Sequence, residues 1–523
     1  MSDDDGCKIE APTDNAWLPN EFCSGIFASG LKKPRSIKMY TNNYGHQFIF
    51  VLERDKSRVV QLEYGGDDDD TVLQATSIRD VGVEMGGLNH GLVLQINSDE
   101  EDGYIYASSD TTVYRWSFDF SNVDAVAGNA ETVIVNMNAN GNGGAPKGHW
   151  TRTLAIDDGN QYLYISVGSE GNIDPTSYRS RIRRFGMESI ENALADGSTI
   201  DFQTGEVFAD GLRNEVGLTF DRSGVLWGVE NSADNLMRSD LGGDIHNDNP
   251  AEELNRFPID QSGLNFGYPY CWTEYKICGD VASPCEISYH SSGDGVSNVT
   301  LTNDKGKVWA WPSFMNDGLH TDEWCRANTV KPELSMQAHS APLGISFYNW
   351  KNVSDNGNCS FGGSFPKEMD GYAFIAYHGS WNRDVPTGYK VVYIPFSLET
   401  GFPIDSSADP IDLFRHNSSN AKWTTNVRPV DVHFDECGRL FVTDDGSGKV
   451  FIIAYNKNTN DQNASTNIPT IEPSSSIKLP CCFLSPSISP IPSSASTYKS
   501  TLPSNVLILT FISWMWLFCS RCK

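Results

Sequence analysis

The sequence predicts an all-β protein, a six-bladed β-propeller of four-stranded antiparallel blades, and three observations carry that expectation. One phrase returns six times between residues 25 and 455: a polar or cationic residue, an apolar alternation, an acidic turn with Gly, and a second apolar run. The runs are rich in β-branched and aromatic residues and are bounded by Gly, Asn and Asp, as strands joined by tight turns are. With 46 Gly, 25 Pro and 39% hydrophobic residues among 523, the chain is rich in turns and still able to bury a large core.

In chain order, the first copy reads PRSIKMY and HQFIFVLERDKSRVVQLEY, and the second NHGLVLQI and GYIYASSDTTVYRWSF. The third reads HWTRTLAID and QYLYISVGSEGNID, and the fourth RNEVGLTFD and GVLWGVENSADN. The fifth is HSAPLGISF with GYAFIAYHGSWNR and GYKVVYIPF, and the sixth RPVDVHFDECGRLFVTDDGSGKVFII. Six copies leave about 70 residues per unit, enough for four strands and long loops. Radial repetition buries both faces of each blade and leaves no long free edge. Copies four and five start about 125 residues apart, so the Cys-rich segment 267–324 is read as a loop insertion, not a blade. The expected organisation is an N-terminal segment (1–24), a propeller (25–456), a Ser/Pro-rich linker (457–504) and a hydrophobic tail (505–523).

The linker cannot bury a core, which predicts a disordered stalk. The tail VLILTFISWMWLFC is shorter than the roughly 20 apolar residues of a spanning helix. Small residues at 493–496, a polar spacer and the short tail resemble a glycolipid-anchor signal; a tail-anchored segment and an unremarkable C-terminus are the alternatives. Membrane attachment is expected through this tail only.

A formal charge of −28 disfavours nucleic-acid or anionic-membrane partners. Twelve cysteines and five N-x-[S/T] sequons, at Asn298, Asn352, Asn358, Asn417 and Asn463, predict a secreted or cell-surface glycoprotein with disulfides. The expected pairs are Cys7 with Cys23, and Cys271 with Cys278 or Cys285. The start MSDDDGCKIE has neither a basic region nor an apolar one, so no signal peptide is visible and a first exon is expected to be missing.

The opening residue of each copy is polar: Arg35, Asn89 with His90, His149 with Arg152, Arg213 with Asn214, His339, and Arg428. Alone, each would ordinarily serve a loop carbonyl. Six at one register converge on one end of a propeller channel. A cationic ring in so acidic a chain points to a buried, multiply anionic ligand.

The motifs HWTRTLAI, YLYISVGSEG, GLRNEVGLTF, LNFGYP, HSAPLGISFY, AYHGSWNR and RPVDVHFDECGRLFVTDD, in this order, resemble the pyrroloquinoline-quinone-dependent sugar dehydrogenases. They are similar to soluble glucose dehydrogenase and closer to the L-sorbosone and fungal pyranose dehydrogenase branch. The resemblance implies an oxidoreductase that moves hydride from a sugar hydroxyl to the quinone with calcium present. It implies His149 as base, Arg213 and Asn214 against charge on the quinone oxygen, and Arg35, Arg383 and Arg428 on the cofactor carboxylates. Asn89, His90, Arg152 and His339 complete the expected cofactor set, and Glu230 with Asn231 in VENSADN are the expected calcium ligands. The soluble glucose dehydrogenase pattern has Gly-Asp-Gln-Gly where this chain has Gly168, Ser169, Glu170 and Gly171, so the carboxylate that orients the base is displaced to Glu170 or absent. No C-x-x-C-H haem motif is visible, which leaves the electron acceptor external. Two other readings are a calcium-dependent propeller lactonase, which needs carboxylate and amide ligands at the blade mouths, and a non-catalytic secreted propeller, which needs no quinone.

Overall fold

The computed structural model describes residues 13–64, 74–97, 101–137, 148–176, 178–279, 281–290, 296–351, 363–419 and 421–456. The tail and linker, Cys7, and the sequons Asn352, Asn358 and Asn463 lie outside these residues. Asn298 and Asn417 are exposed. No helix among the described residues is long and apolar enough to cross a membrane.

Six sheets form the blades. The first is Pro34–Thr41, Gln47–Glu53, Arg58–Tyr64 and Ala75–Glu84; the second is Leu92–Asn97, Asp102–Ser108, Val113–Asp119 and Glu131–Val135. The third is Arg152–Ile156, Tyr162–Val167, Arg181–Gly186 and Glu206–Asp210; the fourth is Glu215–Phe220, Leu226–Glu230, Glu252–Phe257 and Leu334–Met336. The fifth is Pro342–Phe347, Ala373–Tyr377, Lys390–Ile394 and Ile411–His416. The sixth joins Pro429–Phe434, Leu440–Asp444 and Lys449–Tyr455 to the N-terminal strand Phe22–Ala28. The first strand of each blade touches the first strand of the next, and the sixth returns to the first, closing the ring.

The sequence pattern explains why these strands stack radially. In Gln47–Glu53 every residue after Gln47 is buried, so both faces must be covered. Phe48, Phe50 and Leu52 pack against Leu92, Ile105 and Trp116 of the second blade. Ile49 and Val51, on the opposite face by strand alternation, pack against Phe441, Val450 and Ile452 of the sixth. Equivalent cores fill the remaining blade interfaces. Near the axis the inner strands approach so closely that glycine is required. A Cβ on Gly91 would lie 2.3 Å from the carbonyl oxygen of Arg152, and one on Gly344 would lie 2.6 Å from Cα of Asp431.

The structure adds two details to the expected layout and corrects one expectation. The propeller begins ahead of residue 25: Phe22–Ala28 pairs with Lys449–Tyr455, Phe22 opposite Tyr455, because the last blade would otherwise keep an unpaired outer edge. Blades two, three and five each carry a fifth strand of two residues on that edge: Ile200–Asp201, Leu264–Asn265 and Ala16–Trp17. Cys271 bonds neither of its expected partners; the disulfides are Cys271–Cys325 and Cys278–Cys285. Cys271 starts the strand Cys271–Thr273, which pairs with Val308–Ala310 and meets the helix Asp322–Asn328 that carries Cys325. Cys23 and Cys437 are also disulfide-bonded. The described residues of segment 267–324 form small hairpins and the start of this helix, an insertion ahead of the outer strand of blade four.

Candidate functional site

All six inner strands run the same way, so the residues that open them gather at one end of the ring. His149 precedes Arg152–Ile156. Its Nδ1 lies 3.1 Å from the carbonyl oxygen and 2.9 Å from Oγ of Ser169. A carbonyl can only accept, so Nδ1 carries the proton and Nε2 keeps its lone pair. Ser169 Oγ donates to the Gly171 carbonyl, which leaves the hydroxyl oxygen free to accept from the ring. Burial first, and Arg213 second, lowers the imidazole pKa to about 3. His149 is therefore neutral at physiological pH. Glu170 does not orient it; its carboxylate pairs with Arg179 at 2.9 Å. Gly168 allows His149 and Asn214 to meet, since a Cβ there would be 2.8 Å from His149 Cβ and 2.5 Å from Asn214 Oδ1.

Arg213 is held on every side. Its guanidinium donates to the carbonyls of Asn172, Asn231 and Ser232, to Asn172 Oδ1, and to Asp234 at 2.9 Å. Asp234 also accepts from Asn382 at 2.8 Å and lies 3.6 Å from His339 Nδ1, so one carboxylate ties blade four to blade five. His339 Nε2 donates to the His246 carbonyl, and burial lowers its pKa. Arg383 pairs with Asp248 at 3.0 Å.

A second carboxylate closes the ring. Asp445, in blade six, receives Arg35 of blade one at 2.8 Å and His378 of blade five at 2.8 Å. Burial alone would raise the Asp445 pKa, but His378 and Arg35 outweigh it and hold the group below the usual carboxylate range. Arg428 donates to the carbonyls of His378 and Gly379, and only its backbone N–H meets Asp444.

Arg152 and Arg428 differ from the other cations in that every hydrogen bond their guanidinium groups make is to a carbonyl oxygen. Arg152 is fully buried, with Nη2 unpartnered; Nε of Arg35, Oδ1 of Asn89 and Nδ1 of His90 are unpartnered as well. Asn89 donates to the Trp150 carbonyl. His90 lies one level down, lining a narrow void of about 10 Å³ in the channel with Lys38 and Asp431.

Glu230 and Asn231 do not form an open oxygen cage as they stand. Glu230 accepts from the Arg213 amide at 2.5 Å and from Asn255 at 3.3 Å, while the Asn231 side chain donates to the Pro342 carbonyl. Glu230 sits between Glu215 and Glu253 in register across three strands, and burial raises it well above the carboxylate range. Among the described residues, no group of three or more His, Cys, Asp and Glu side chains is arranged to hold a metal.

Sequence reasoning missed Asp234, Asp445, His378 and Trp381, and reached Ser169 without its role as the partner of the base. His378 and Trp381 lie inside AYHGSWNR, and Asp445 ends LFVTDD, so the motifs held them without showing their partners. Trp381 is 73% exposed beside Asn382 and Arg383, both anchored by carboxylates.

Residues 18–456 match the family model described as TrAA12-like. The chain is 31% identical over 458 residues to a pyrroloquinoline quinone-dependent pyranose dehydrogenase of Coprinopsis cinerea, covering 83% of this chain and 54% of that one. It thus spans about half the length of that relative. It is 28% identical over 444 residues to a pyrroloquinoline quinone-dependent sugar dehydrogenase of Hypocrea jecorina, covering 82% and 86%. Among solved structures, the holo form of the pyranose dehydrogenase PQQ domain from Coprinopsis cinerea aligns with a TM-score of 0.66 at 28% identity, covering 85% of this chain and 98% of that one. A calcium structure of a Trichoderma reesei family AA12 enzyme aligns with a TM-score of 0.65 at 28% identity, covering 85% and 97%.

Proposed function

The chain belongs to the TrAA12-like family, and from that membership we propose that it is a quinoprotein oxidoreductase acting on a hydroxyl of an aldose, pyranose or sorbosone-like sugar. The observation that carries this reading is the blade mouth itself, where a neutral, oriented imidazole stands among guanidinium groups whose charge is not fully answered. Arg152 and Arg428 bond only to carbonyls, and Arg35 keeps a free donor. Such groups fit the carboxylates of pyrroloquinoline quinone, the cofactor named for the relatives. When bound, the quinone supplies a two-electron acceptor for hydride.

The chain's own residues do the rest. His149 Nε2 receives the substrate hydroxyl proton, with Ser169 fixing the ring from behind. Arg213, immobilised by its acceptors and Asp234, presents fixed positive charge beside the reacting oxygen and needs no reorganisation. Trp381 offers an apolar wall for a sugar ring. A calcium structure represents family AA12 among the solved relatives; to hold such an ion here, Glu230 would give up the Arg213 amide and Asn231 the Pro342 carbonyl. Electrons leave to an external acceptor. A secreted or cell-surface location accords with the disulfides and with the exposed sequons Asn298 and Asn417.

A lactonase would need free carboxylates here, and Asp234 and Asp445 are taken by arginine. The test is titration of apoprotein with quinone and calcium while dye reduction by a sugar panel is followed, in wild type and in His149→Ala. Turnover should fall about 10²- to 10⁴-fold in the variant with quinone binding kept. No saturable quinone binding would favour a non-catalytic propeller. Equal loss of binding and turnover would make His149 an anchor.

A further inference from the structure

The inner strands also have far ends, and there the ring forms a second pocket of about 260 Å³, open to solvent at its rim, between blades one, four, five and six. It lies at the opposite end of these strands from His149 and the arginines. At a water's share of liquid volume, about 30 Å³, this is room for roughly nine waters, the scale of one small organic ring.

Its chemistry is specific. Thr41 and Gln47 are directly opposed across the first hairpin, and Oγ1 of Thr41 and Nε2 of Gln47 are both buried without a partner. A buried donor left unmade is costly, so native proteins supply it with a protein group, water or ligand. Phe220, Phe347 and Phe434 line the same space. Formal charge around it is compensated: Lys351 pairs with Glu436, and Asp435 with Arg439 at 2.6 Å. His433, also in the lining, is neutral because burial lowers its pKa to about 3. Paired hydroxyl and amide donors, aromatic faces and no net charge suit a neutral ligand with hydroxyls on an apolar ring.

We propose that this cavity is a second binding site, for a neutral monosaccharide or comparable polyol, at the end of the propeller away from the candidate redox site. It does not rest on the redox reading, since no quinone takes part.

The test uses quinone-free full-length protein with D-glucose and glycerol as probes, followed by saturation-transfer NMR and equilibrium dialysis. Wild type and His149→Ala should bind at least one probe with a Kd of about 1–10 mM. Asn349→Trp, on the exposed rim, and Gln47→Leu, which removes one orphan donor, should each weaken binding at least about tenfold. Quinone affinity should be unchanged in both. No saturable binding of either probe, or binding that either variant leaves untouched, overturns the proposal.

Discussion

Gly168→Ala is the most direct probe of the base. The added Cβ would lie 2.8 Å from His149 Cβ and 2.5 Å from Asn214 Oδ1. Comfortable carbon contacts begin near 3.5 Å, so the histidine must retreat by about 0.7 Å or the asparagine must swing away. No positive φ is required at this glycine, so the strain is steric. Overpacking of this kind costs about 1–3 kcal/mol of stability. The larger effect should be on rate: a misplacement near 1 Å costs about 10²-fold. Quinone affinity should hardly move, because Arg35, Arg152 and Arg428 are untouched. The assay is kcat by dye reduction, the quinone Kd, and urea unfolding, on Gly168→Ala, His149→Ala and the double variant. Because both changes act through the same imidazole, the double variant should be scarcely slower than His149→Ala. Wild-type kcat in Gly168→Ala, or an undiminished further loss in the double variant, would refute the reasoning.

Four other outcomes follow from the site. With the His149 pKa lowered to about 3, the neutral base persists well below pH 6.5, so the acid limb of kcat/KM should lie below about pH 5; a limb at pH 6–7 would contradict it. The same depression means that protons bind the unfolded chain first, so this group's contribution to stability falls as pH drops from about 6.5 toward 3, measurable by denaturant titration across that range. Asp445→Asn should destabilise by about 3–5 kcal/mol, because Arg35 is left buried without its counter-charge. In wild type the Asp445 contribution is present above the ordinary carboxylate range and lost as pH falls through its lowered value; a loss under 1 kcal/mol in urea would show that the ring closes without it. Arg428→Ala should weaken quinone binding by about 1.5–3 kcal/mol, with a stability loss nearer 1 kcal/mol from the vacated carbonyls of His378 and Gly379. Unchanged affinity by calorimetric titration would remove Arg428 from the site.

The repeat phrase contains the local physics of a blade, and so the sequence by itself determined the six-fold fold. FIFVLE is apolar at every position but the last because both of its faces are buried, and the glycines of NHGLVLQI and SAPLGISF stand where neighbouring inner strands nearly touch. The register of Arg35, His149, Arg213 and Arg428 was legible for the same reason: equivalent positions of equivalent blades must meet at one end. What those groups face was not legible. Arg35 and Asp445 are 410 residues apart and meet only because Phe22–Ala28 closes the ring. Whether a guanidinium meets a carboxylate, as in Arg35 and Arg213, or bonds only to carbonyls, as in Arg152 and Arg428, depends on contacts of a few ångströms, across blades for Arg35, Arg152 and Arg428 and between two loops of blade four for Arg213. The pairing of Cys271 with Cys325 and the cavity beside Thr41 and Gln47 are of the same kind. Strand patterns act within a few residues and can be read from them. Charge compensation, disulfide partners and voids arise where distant segments meet, and only the tertiary structure decides them.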